Sequence, residues 1–249
     1  MYSSICKRFF ESRGRFLGSR RGFCAALALA ALLPAVPRAA RADAYRDFFD
    51  AIGRNDARQV ETLILRGIGT NSADPRLGPA IVHAASQRAH EALQALLLSP
   101  ATDVDARNAA GETALMYAAL YGEIATMKLL LSRGAQVNHP GWTPLHYAAG
   151  AGQLDAVKLL LEHHAYIDAA SANGTTPTMM AARQQKPTVA RSLVEQGADP
   201  SLVNEAGLDA ARYFERHGET DHAAWMRERA AEFRRRYGTR EAPVPAGAR

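Results

Sequence analysis

Apolar and polar positions along the chain repeat one pattern. From residue 154 onward, Leu154, Val157, Leu160 and Leu161 fall at helical spacing and form one apolar stripe. Upstream, a shorter helix is predicted after Thr143, carrying Leu145 and the small pair Ala148-Ala149, and Gly150-Ala151-Gly152 reads as the turn between the two. The segments beginning at Gly111, Gly141 and Gly174 align with one another without internal gaps. Their starts lie 30 and 33 residues apart, and Gly207 begins a further unit 33 residues on. The three residues missing from the shorter spacing fall in the connector before His139-Pro140-Gly141-Trp142. Weaker copies begin near Leu77 and Tyr45.

Local chemistry supports helix pairs at these positions. Thr143 and Thr176 are suited to cap a helix by accepting from a free first-turn amide. Pro144 and Pro177 suit the next position because they have no amide to leave unpaired. Ala118-Ala119, Ala148-Ala149 and Ala181-Ala182 let neighbouring helices approach closely, and Gly134 and Gly197 sit where the chain leaves the second helix through a left-handed residue. His164 occupies that place in its own repeat, so it is predicted to have positive φ.

The run Thr143-Pro144-Leu145-His146-Tyr147-Ala148, with Leu159-Leu160-Leu161 and Gly197-Ala198-Asp199, resembles the ankyrin repeat family across about residues 45–215. The resemblance implies an all-α solenoid of stacked helix-turn-helix units, about five repeats with a C-terminal cap. The expected boundaries are 45–76, 77–110, 111–140, 141–173 and 174–206 within a 43–218 array, with a degenerate cap at 207–218, a capping helix at 219–237 and a flexible tail at 238–249. It further implies that His146 hydrogen-bonds its threonine and the neighbouring backbone, a structural role and not a catalytic one. In this family partners meet the connector tips and the first-helix side of the concave face. Carried over by position, the candidates are Glu112, Trp142 and Thr175, then Leu120 and Tyr121 with their counterparts Gly150 and Ala151, and His139 beside Trp142. Two roles stay open for Trp142: a binding hot spot, or packing over the shortened connector.

Charge and composition refine this. At 249 residues and 47% apolar, the chain suffices for one core or one elongated array. Its net charge of +5 is concentrated in residues 1–42, which hold eight Lys/Arg and the single acid Glu11. Of 30 basic and 25 acidic residues, the remainder therefore keeps 22 and 24, which removes the case for a nucleic-acid groove. Those first 42 residues combine a basic stretch, an apolar run from Phe23 to Val36 too short to span a membrane, and small residues around two candidate cleavage sites, Ala42 and Ala44. Ser19-Arg20-Arg21-Gly22-Phe23 resembles the twin-arginine export signal, with Cys24 a departure from its usual leucine. That resemblance implies export to a bacterial periplasm; an ordinary secretory signal, an uncleaved anchor and a transit peptide are the alternatives. The two cysteines, Cys6 and Cys24, both lie in this segment, so the mature chain is expected to have no thiol or disulfide; separately, it is expected to be monomeric and without a membrane span.

Candidates for chemistry fail on spacing. Gly150-Ala151-Gly152 meets Asp155 where a dinucleotide loop needs glycine. His163 and His164 are adjacent on a helix, His217 and His222 are five apart, and His83/His90 and His139/His146 are seven apart, about 10 Å along a helix. No metal, cofactor or catalytic site is expected. The C-terminal stretch places Tyr213, Phe214, Trp225, Met226 and Phe233 on an apolar side, with Arg234-Arg235-Arg236 as a solvated helix end. Function then reduces to binding another protein, as an inhibitor or immunity protein against a toxin or as an accessory of a periplasmic redox enzyme. A homomeric scaffold and an enzyme with an unrecognised site are the competing classes.

Overall fold

The computed structural model describes residues 38–238. Residues 1–37, which hold most of the segment expected to direct export and both cysteines, and residues 239–249 lie outside them. Six antiparallel helix pairs follow one another: α1 (Arg38–Gly53) with α2 (Ala57–Leu65), α3 (Ala80–Ser86) with α4 (His90–Leu97), α5 (Ala114–Tyr121) with α6 (Ile124–Ser132), α7 (Pro144–Ala151) with α8 (Leu154–Glu162), α9 (Pro177–Arg183) with α10 (Pro187–Glu195), and α11 (Ala210–Arg216) with α12 (Thr220–Tyr237). The sequence boundary at residue 42 falls inside α1. The one strand pair among the described residues, β1 (Ala73–Asp74) with β2 (Gly78–Pro79), closes the connector before α3 with Ala73 opposite Pro79.

The odd-numbered helices α3, α5, α7, α9 and α11 pack side by side as an inner layer, and α2 with α4, then α6, α8, α10 and α12, form an outer layer. This is an all-α repeat solenoid. Inner helices are only seven or eight residues long and touch through alanine, with Ala84, Ala118, Ala119, Ala148, Ala149, Ala181 and Ala182 all at or below 1% exposure. A larger side chain there would push adjacent helices apart. Phe214 occupies the position of Ala148 and Ala181 in the last pair, where no further inner helix follows, and is fully buried. The partner helix α12 is extended to 18 residues and turns Ala223, Met226 and Ala230 inward. Arg191 of α10 lays its guanidinium 4.8 Å over the Trp225 ring, so α12 belongs to the outer layer as well as closing the end.

Two periodic devices hold the register. Asn55, Arg88 and Gln185 take positive φ (57°, 58° and 55°) in the turn inside a pair, where Gly122 and Gly152 do so elsewhere. After the outer helices, Gly67, Gly134 and Gly197 have φ of 98°, 86° and 102°, and His164 is at 63° as its register requires. Exposed His164 carries a Cβ in a conformation that costs an L residue roughly 1 kcal/mol. His164→Gly is therefore expected to raise Tm by about 2–4 °C in a thermal melt; a lower Tm would contradict the assigned register.

A second device was not foreseen from sequence. Asn71 Oδ1 accepts from Asp103 N at 2.8 Å, Asp105 Oδ1 from Gln136 N at 2.9 Å, Asn138 Oδ1 from Tyr166 N at 2.8 Å, and Asp168 Oδ1 from Asp199 N at 3.0 Å. Each carboxylate or amide reaches from the loop after one outer helix to the backbone of the equivalent loop in the next repeat. These bonds satisfy amides that no helix or sheet would pair.

Candidate functional site

The inner helices end in two outward-facing positions that differ sharply in size along the array. They are Leu120-Tyr121 on α5, Gly150-Ala151 on α7 and Arg183-Gln184 at the end of α9. The fourth repeat therefore contributes almost no side chain between two that do, and a groove of about 390 Å³ opens there. Leu120, Tyr147, Gly150, Ala151 and Met180 line it, Trp142 stands over it, and Gln184 and His146 complete the wall. Glycine sets the width: a Cβ on Gly150 would come within 3.1 Å of Met180 Cγ.

Trp142 reaches the groove because its connector is short. In the preceding connector two residues do two jobs: Asp105 bridges to the next repeat, while Asn108 Oδ1 accepts from Ala110 N and Glu112 N to close the tip. The fourth connector has lost three residues, and Asn138 does only the bridging, its Nδ2 donating to His164 O at 2.9 Å. The tip is correspondingly cut back. The Trp142 ring meets the His146 ring edge-on, with centroids 5.1 Å apart and planes at 79°, and keeps 36% of its surface exposed. Packing and exposure coexist in this residue.

His146 holds the base of the groove. Its Nδ1 accepts from Thr143 N at 3.2 Å and from Thr143 Oγ1 at 2.9 Å, so the ring proton is on Nε2, which donates to Thr175 O at 2.9 Å in the next repeat. The imidazole is fully buried, and burial, only partly offset by the Thr175 carbonyl, pushes its pKa down to about 4. It is neutral at physiological pH. Thr176 and Thr113 cap their helices through Met179 N and Met116 N, each at 3.4 Å. Pro144 and Pro177 stand at the first helical positions, and Leu145 is fully buried.

Beside the groove, half-buried Glu112 ties two repeats together. Its carboxylate accepts from Asn108 Nδ2 at 2.8 Å, Tyr117 Oη at 2.5 Å and Tyr147 Oη at 2.8 Å. Burial works to raise the Glu112 pKa, but these three hydrogen bonds outweigh it and hold the group below the ordinary carboxylate range. Burial and the Glu112 charge push Tyr117 up to about 12 and raise Tyr147 as well. At neutral pH the carboxylate stays charged and both phenols keep their protons, an arrangement that locks geometry and offers no poised acid or base. Tyr117 stacks on Tyr121 with centroids 6.4 Å apart, and the Arg88 guanidinium lies 5.7 Å from the Tyr121 ring while pairing with Glu123 at 2.7 Å.

The structure brings Trp142, Leu120, Gly150 and Ala151 together at one groove, with Tyr121 beside Leu120 on α5 and Glu112 behind the groove. Two candidates need correction. Thr175 is 1% exposed, its carbonyl taken by His146 and its amide donating to Ser171 Oγ at 3.0 Å, so it has no surface to offer a partner. His139 is 8% exposed and its Nδ1 accepts from Arg107 Nη2 at 2.7 Å. Burial, reinforced by that guanidinium, pushes its pKa down. Sequence reasoning missed Tyr147, Met180 and Gln184. Tyr147 and Met180 share the position of Tyr117, and Gln184 shares that of Tyr121, so the repeat register could have found them. Among the described residues no group of three or more His, Cys, Asp or Glu side chains is placed to hold a metal ion, and no helix is long and apolar enough to cross a membrane.

A family model described as ankyrin repeats, three copies, matches residues 48–141 and 136–204, more than half of the chain. No curated protein matches it.

Proposed function

The chain belongs to the ankyrin repeat family, and from that premise we propose that it is a non-enzymatic protein-binding module whose partner seats in the groove between α5, α7 and α9. The observation that carries this reading is the groove itself: an apolar recess made by Gly150 and Ala151, overhung by a tryptophan with a third of its surface free. Exposed tryptophan beside a pocket is the arrangement in which a few residues dominate binding energy. The twin-arginine-like run at Ser19–Phe23 and the small residues around Ala42 support a periplasmic location.

One preparation tests both parts. The full chain, tagged at its C-terminus, is produced in a Gram-negative host with an Arg20→Lys/Arg21→Lys variant and a Trp142→Ala variant alongside. The expected result is tagged protein in the periplasmic fraction that co-purifies with a specific protein. The paired-lysine variant should stay in the cytoplasm, and Trp142→Ala should reach the periplasm but retain at most a tenth of the partner. Equal partner recovery with Trp142→Ala would remove the groove from the binding site, and periplasmic accumulation of the lysine variant would remove the twin-arginine reading.

A further inference from the structure

The two outward rows that frame the groove carry information about what fills it. At the two positions before the positive-φ residue of the turn inside each helix pair stand Gly53-Arg54, Ser86-Gln87, Leu120-Tyr121, Gly150-Ala151, Arg183-Gln184 and Arg216-His217. These rows contain three arginines and no aspartate or glutamate. Arg54, Arg183 and Arg216 are all exposed, and none forms an ion pair among the described residues. This concentration of positive charge is local, because residues 43–249 hold 22 basic against 24 acidic residues. A repeat region with two more acids than bases that nevertheless sets unpaired arginines side by side at the ends of α9 and α11 has its charge there arranged for a ligand of opposite sign.

From this juxtaposition we infer that the partner presents an extended acidic segment, with one bulky apolar side chain in the Gly150 groove and carboxylates following it toward Arg183 and Arg216. The inference rests on the groove being the protein-binding site and adds the chemistry of the occupant. Adjacent packed helices are roughly 8–10 Å apart, so Arg183 lies one step and Arg216 two steps along the array from Gly150. An extended chain rises about 3.3 Å per residue. The carboxylates therefore belong about three and about six residues from the apolar anchor. The groove takes the anchor because Leu120, Tyr147 and Met180 offer it apolar walls, with Trp142 above. The arginine fork then pairs with carboxylate more specifically than lysine would.

The test uses displayed random 12-residue peptides as the probe, panned against the purified full chain. Enriched peptides are remade with a fluorescein label and titrated by fluorescence anisotropy. Two variants are compared with the natural chain: Arg183→Glu with Arg216→Glu, which reverses the strip, and Ala151→Tyr, which fills the groove with the residue that the preceding repeat carries as Tyr121. Circular dichroism melts confirm that both remain folded. Support requires enriched sequences with an apolar residue and Asp or Glu at the three- and six-residue offsets, binding weakened at least tenfold by either variant, and binding weakened by added salt. Peptides that lose binding with Ala151→Tyr but show no acidic preference, or that bind the charge-reversed variant equally well, overturn the inference and leave the groove standing as a protein site. Peptides indifferent to Ala151→Tyr, or no enrichment over bare matrix, overturn it too, and the co-purification with Trp142→Ala then decides separately whether the groove binds a folded partner.

Discussion

His146→Ala is expected to cost about 3–5 kcal/mol and to lower Tm by roughly 10 °C or more. Three effects add. The variant removes a fully buried ring and leaves a cavity under Trp142. It strands the Thr143 amide and hydroxyl inside the protein, where an unmade hydrogen bond costs about 1–3 kcal/mol. It also frees the buried Thr175 carbonyl, the link to the following repeat. For a protein whose whole stability is about 5–15 kcal/mol, that is a large share. A melt within 2 °C of the natural chain would mean that the turn holds itself without the imidazole.

Acid interrogates the same residue. The His146 pKa falls to about 4 in the native chain from an ordinary 6.5. Between those values the unfolded chain binds a proton that the native chain refuses, so stability rises with pH across that window. The contribution is complete above pH 6.5 and is lost as pH drops from there to about 4, a difference on the order of 3 kcal/mol. His83 and His139 are pushed down by burial as well and act in the same direction. His146→Ala, already destabilised at neutral pH, should lose less of what remains on acidification. A parallel fall in both chains between pH 6.5 and 4 would assign the acid sensitivity to other groups.

Truncation after Gly218 is expected to be the most damaging change of all. Removing α12 uncovers Phe214 and the inward side of α10, and with them Met226 and the Trp225 ring that Arg191 caps are lost. Burying a phenylalanine alone contributes about 1.5–3 kcal/mol, and an end repeat that shows an apolar face associates with its copies. The truncated chain should elute as aggregate in size-exclusion chromatography and lose the last helix pair's signal in circular dichroism. Adding Phe214→Arg to the truncation should restore a monomeric peak. A monomer from the simple truncation would show that α11 closes the array alone.

Much of this architecture is legible in the sequence because it depends on local rules that recur. Thr143-Pro144 starts a helix whatever surrounds it, and the place of His164 opposite Gly134 and Gly197 fixes its φ before any packing is known. The groove required a comparison that reading one repeat at a time does not make. Gly150 and Ala151 are unremarkable as a turn and matter only beside Leu120-Tyr121 and Arg183-Gln184. Thr175 and His139 were misplaced for a related reason. Family position puts Thr175 near the surface and its place next to Trp142 does the same for His139, but Thr175 lies beneath the His146 bridge and His139 is drawn in by Arg107. The Asn71, Asp105, Asn138 and Asp168 series was visible at the repeat spacing too, yet aspartate and asparagine in loops pass for ordinary turn residues unless their period is noticed.

That series grips backbone and ignores side chains. Each acceptor belongs to the earlier repeat and takes hold of an amide that every residue except proline possesses. The receiving position is thereby released from any single side chain: it is an aspartate at Asp103 and Asp199, an amide at Gln136 and a phenol at Tyr166, and each is held by its backbone N–H alone. A lineage of such chains can duplicate, drop or exchange whole repeats and still find each newcomer fastened on arrival. Inheritance of the fold is thus uncoupled from inheritance of the binding face, which leaves the inner rows free to diverge toward new partners.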